Sequence, residues 1–82
     1  MKYYLLAMSS LTRANAGRKL LLSSGVRAAV VKTPAYLSPR GCAYALRVSA
    51  SAMPGAGRLL SGASLAPVKI FGSRDGVRWS EL

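Results

Sequence analysis

The centre of the chain leaves few folds open. Two β-type runs, VRAAVVK (residues 26–32) and CAYALRV (residues 42–48), are separated by Thr33–Gly41, which holds Pro34, Pro39 and Gly41. Proline removes a ladder donor and pushes its predecessor toward extended geometry, so neither a helix nor a strand runs through this stretch. The second run alternates Cys42, Tyr44, Leu46 and Val48 with Ala43, Ala45 and Arg47, the period-2 pattern of a strand with two distinct faces. An all-helical fold is thereby excluded.

Reading outward from that centre, each side adds one strand and one helix. KYYLLAM (residues 2–8) is an apolar, aromatic run suited to a central strand, and Ser9-Ser10 supply a helix cap. Leu11, Ala14, Leu21 and Leu22 then form one stripe of a helix over 11–24, closed by Gly25. Beyond the second central run, Ser51 is placed to cap a weaker helix with Pro54 in its first turn and Ala52, Ala56, Leu59 and Leu60 on one face, ended by Gly62. APVKIF (residues 66–71) is a further strand, and Asp75-Gly76 signals a turn before VRWSEL. The order predicts an α+β, ferredoxin-like βαββαβ domain over residues 1–82, with a four-stranded antiparallel sheet and two helices on one face.

The residue inventory excludes several kinds of chemistry. One cysteine forms no internal disulfide, and with no histidine the chain cannot build a Cys/His zinc site, a Ser-His-Asp triad or a Cys-His pair. Asp75 and Glu81 are the only carboxylates, which leaves no paired acid/base machinery. We therefore expect a protein that is not an enzyme and holds no metal or cofactor. Twelve Lys and Arg give a net charge of +10, which favours anionic partners, yet the only adjacent basic pair is Arg18-Lys19. The charge is thus open to two readings: a binding surface, or a solvated exterior.

The N-terminus imitates a signal peptide with Lys2, an apolar run and Ala14-Asn15-Ala16. However, the run from Tyr3 to Met8 is shorter than an h-region of about 7–15 residues, and Arg13 precedes the supposed cleavage site. No segment approaches the ~20 apolar residues of a membrane span. The expectation is a cytoplasmic protein with no membrane partner and an unspecified oligomeric state.

Cys42 carries the sharpest question. Free cysteine is among the most buried residue types, and Cys42 shares the strand alternation of Leu46 and Val48, so a core role is open. The alternative is a reactive thiolate: Arg40 stands two residues away, Lys32 and Arg47 are read as flanking the loop, and Pro34, Pro39 and Gly41 restrict its backbone. A thiolate in such surroundings could accept a sulfur atom as a persulfide and pass it to another thiol.

The stretches quoted above resemble the selenium/sulfur carrier protein-like domain family of small bacterial proteins. The resemblance rests on KYYLLA, on Lys19-Leu20-Leu21 with Gly25, and on Thr33-Pro34 leading through Ser38 to Cys42 and Ala45-Leu46-Arg47. The chain departs from the family pattern at Ala43, where glycine is usual, and at Arg18, where an acidic residue is usual. The resemblance implies a carrier with Cys42 as sulfur or selenium acceptor and a protein donor or acceptor as partner.

A second function uses the same region differently. The βαββαβ order also belongs to the RNA-recognition motif, and Arg40-Gly41-Cys42-Ala43-Tyr44 matches four of the five positions of its third-strand signature. In that reading Tyr44, Tyr3 or Tyr4, and Arg47 contact nucleic acid, although Cys42 replaces a stacking aromatic. The glycines of PGAG and GSRDG lack phosphate-loop spacing, and Trp79 is expected as a lid over one sheet edge.

Overall fold

A computed structural model describes residues 2–37 and 44–82. Strand β1 (Tyr3–Met8) leads through Ser9-Ser10 into helix α1 (Leu11–Ser23), followed by β2 (Ala29–Lys32) and β3 (Tyr44–Ser49). A single 3-10 turn (Ala50–Ala52) then opens helix α2 (Met53–Gly62), and β4 (Lys69–Ser73) and β5 (Ser80–Glu81) complete the chain. The result is a mixed α+β architecture in which one antiparallel sheet has the order β2-β3-β1-β4-β5. Among the described residues the expected four strands are therefore five. Glu81 and Ser80 pair with Phe71 and Gly72, an addition of two residues too short to leave a periodic signal in the sequence.

β1 lies between β3 and β4 and is covered on both faces, which explains the unbroken apolar run Leu5-Leu6-Ala7-Met8. Leu6 and Met8, with Leu46 and Val48 of β3, pack under both helices against Ala14, Leu21, Ala56 and Leu60. On the opposite face, Leu5, Ala7, Ala45 and Phe71 form a second, smaller core, covered by Val31, Leu37 and Trp79. Trp79 thus lids a sheet face and not merely an edge.

Both helices end in the same way. After α1, Gly25 takes a φ of +79°, its N–H donates to Leu22 O, and the Val26 N–H reaches back 2.8 Å to Leu21 O. This is the paired-bond stop that a left-handed residue permits. With its N–H committed to the helix, Val26 cannot open a strand, so β2 begins at Ala29 and not at residue 26. α2 repeats the device two residues past the expected stop. Gly62 is helical, and the left-handed residue is Ser64 at φ +59°, followed by Leu65 N–H donating to Leu60 O at 2.8 Å.

Other expectations shift for similar local reasons. Ser10 caps α1, its Oγ accepting from Arg13 N at 3.1 Å, but Leu11 and Leu22 stand 43% and 44% exposed, and the buried stripe is Ala14, Gly17 and Leu21. Ser51 does not cap α2. It lies in the 3-10 turn with its Oγ 3.1 Å from that of Ser49, and Ala52 occupies the cap position. β4 starts at Lys69 and not at residue 66, because Pro67 has no N–H to give and the first sheet-side bond is Val68 N–H to Ala7 O.

Candidate functional site

The antiparallel register sets the geography of the molecule. Met8 pairs with Tyr44, and Tyr44 with Lys32, so the end of β1, the end of β2 and the start of β3 share one end of the sheet. α1 begins at this end too, directly after Ser9-Ser10. The Pro34 segment leaves from here and the chain re-enters at Tyr44; Pro39, Arg40, Gly41 and Cys42, expected in the site, lie outside the described residues.

The departing half of that connection is fastened through Pro34, Tyr36 and Leu37. Thr33 is 6% exposed, and its Oγ1 has no hydrogen-bond partner among the described residues. Pro34 is half-buried, and its carbonyl accepts from Leu37 N at 3.0 Å, closing a turn. Leu37 then packs on the smaller core beside Trp79, while the 66%-exposed Tyr36 accepts at its hydroxyl a bond from Trp79 N at 3.4 Å. The Tyr36 bond and the Leu37 packing join segments far apart in sequence, so no local pattern announced those two residues as participants. The only hint was an apolar pair within a proline-bounded loop.

Arg47 corrects a sequence expectation. The sequence sets it beside the cysteine loop, but its guanidinium carbon lies 4.7 Å from the centroid of Tyr3, a cation–π contact toward the far end of β1. Tyr3 pairs with Ser49 and Met8 with Tyr44, so the arginine head is drawn away from the loop end. Of the described cations expected around Cys42, exposed Lys32 remains at that end.

Of the aromatic residues of the second reading, Tyr4 and Tyr44 share one face of the sheet and Tyr3 lies on the other. Tyr4 and Tyr44 are half-buried against the helix-side core, whereas Tyr3 and Arg47 belong to the opposite face. Among the described residues no three His, Cys, Asp or Glu side chains come close enough to hold a metal ion. No helix among those residues is long and apolar enough to cross a membrane.

The family model described as "Putative Se/S carrier protein-like" matches residues 3–71 of the 82-residue chain. The chain belongs to that family. No curated protein and no solved structure matches it. The matched region of this Se/S carrier-like chain runs from β1 into β4 and includes the cysteine, whereas the Asp75 turn, Trp79 and β5 follow it.

Proposed function

We propose that this Se/S carrier-like protein accepts sulfur or selenium on Cys42 and delivers it to a partner protein in the cytoplasm, acting as a carrier or accessory and not as an enzyme. The observation that carries the proposal is the family match over residues 3–71, within which Cys42 is the only thiol. The frame is read as ferredoxin-like βαββαβ extended by β5, and the strand order β2-β3-β1-β4 supports that reading.

The transfer needs a thiolate and nothing else from this chain. Cys42 Sγ⁻ attacks the outer sulfur of a donor persulfide; the donor's S–S bond breaks, a new S–S bond forms on Cys42, and the donor sulfur leaves as a thiolate. Delivery is the same exchange in reverse toward an acceptor. Arg40, two residues from Cys42 in sequence, supplies positive charge that favours the thiolate. Pro34, half-buried, and the Leu37 and Tyr36 ties hold the departing half of the connection, while β3 pairing at Tyr44 holds its return.

The test is alkylation rate against pH for wild type and Arg40→Ala, with mass spectrometry after incubation with a persulfide donor. The expected result is rapid modification near neutral pH, a slower and right-shifted profile in Arg40→Ala, and one added sulfur lost in Cys42→Ser. A thiol that resists alkylation until the chain is denatured would overturn the carrier reading.

A further inference from the structure

The end of the sheet away from the cysteine connection gathers arginines. Arg27 and Arg47 line one open cleft beside Ala29 and Ser49, and Arg74 and Arg78 line a second with Ser73 and Ser80. Arg47 links the two: its Nη2 would stand 2.8 Å from a Cβ placed on Gly76, in the turn between Arg74 and Arg78. All four arginines are exposed.

The one acidic residue in this region, Asp75, lies in the second cleft but forms no ion pair with the arginines among the described residues. Asp75 Oδ1 accepts from Val77 N and Arg78 N at 2.8 and 2.9 Å and from Ser73 Oγ at 3.0 Å, so that oxygen serves its own turn. The ion pair found among the described residues, Lys69–Glu81 at 3.3 Å, involves none of the four arginines.

We propose that this arc binds single-stranded nucleic acid, with phosphates on Arg27, Arg74 and Arg78 and an unstacked base on the Arg47 guanidinium, which is backed by Tyr3. Guanidinium groups grip phosphate oxygens bidentately and offer a flat face to a base, and Arg47 is exposed with its guanidinium held over the Tyr3 ring. A duplex keeps its bases stacked, and an acidic polypeptide would use the charge but not the plane. The arc lies at the opposite end of the sheet from Cys42's connection, so its test is independent of the carrier reading.

Binding of a fluorescent single-stranded oligonucleotide of about ten bases is measured by anisotropy across a salt series, with a duplex of the same sequence and polyglutamate as competitors. Three or four phosphates neutralised give a log–log salt slope of about −2 to −3. Arg27→Ala/Arg74→Ala/Arg78→Ala is expected to weaken binding at least ten-fold, and the charge-matched Arg18→Ala/Lys19→Ala/Arg58→Ala less than three-fold. Arg47→Lys keeps the charge but loses the plane, and about a five-fold loss or more is expected. Equal losses in the two triple variants, an unaffected Arg47→Lys, no binding at low salt, or polyglutamate competing as well as the oligonucleotide would each overturn the proposal. Should the first triple variant fail to fold, Arg47→Lys decides.

Discussion

Gly17 sits in the middle of α1, where glycine costs about 1 kcal/mol relative to alanine, at a point where neighbouring elements crowd the helix. A Cβ there would approach Leu46 Cδ1 to 2.9 Å and Leu60 Cδ2 to 3.0 Å, so the glycine lets α1 close on both the sheet and α2. Gly17→Ala therefore gains helix propensity and loses packing. The expected net is a destabilisation of about 1–2 kcal/mol, read as a lower urea midpoint, because overpacking a tight core site costs about 1–3 kcal/mol. An unchanged or raised midpoint would mean that the two leucines move aside freely. Asp75 is the second residue whose role is set by its immediate contacts. Bonds from Arg78 N and Val77 N, aided by Ser73 Oγ, lower its pKa from 3.8 to about 2. The folded value is below the unfolded one, so the carboxylate favours the folded state at any pH above about 3.8, and that contribution is lost as pH falls toward 2. Asp75→Asn should flatten the fall in Tm over this window while leaving the slope above it unchanged. An identical acid profile in both proteins would show that the turn does not depend on the charge.

α2 is the element least favoured by its own sequence, with Gly55, Gly57 and Gly62 within it and Ser64 held left-handed just after it. None of these three glycines would bring a Cβ within 4 Å of a neighbour, unlike Gly17, so they serve no close approach. Gly57→Ala and Ser64→Gly are each expected to stabilise by about 0.5–1 kcal/mol, the first through helix propensity and the second by relieving a φ of +59°. Because Arg13 Nη2 donates to the Ser64 backbone carbonyl, Ser64→Gly retains that tie, and a drop in Tm would refute the strain account. The same two helices mark what a sequence discloses. α1 was legible through its Ser10 cap and Gly25 stop, which are local devices, and β1 through its apolar run. Gly17 was not legible, since its meaning depends on Leu46 and Leu60 in other elements. Nor was the Ser64 stop, where a glycine two residues earlier offered the more usual signal. At the candidate site, the proline-bounded connection was evident from residues 33–41, but the direction of Arg47 followed from a cation–π contact with Tyr3 that no spacing rule encodes.

Across the whole molecule, β1 binds two cores into one unit. Leu5 and Ala7 enter the smaller core with Phe71 and Trp79, and the alternating Leu6 and Met8 enter the helix-side core with Leu21 and Leu60. These positions are interleaved on a single backbone, so neither face can lose its packing without stripping a strand from the other. Each fully buried leucine or methionine side chain contributes about 1.5–3 kcal/mol, too much for β1 to leave one layer and keep the other. The two layers also carry separate reporters. Trp79, the only tryptophan, senses the smaller core, and far-UV circular dichroism is dominated by the helices on the opposite face. Denaturation by urea should therefore give the same midpoint and the same slope from tryptophan emission and from ellipticity, the behaviour of a single cooperative transition. Phe71→Ala opens a cavity in the smaller core alone and is expected to lower both midpoints together, by about 3–5 kcal/mol of stability. Were Trp79 emission to change at lower urea than ellipticity, in the wild type or in Phe71→Ala, the Trp79 layer would be a separately unfolding cover, and the coupling through β1 would be wrong.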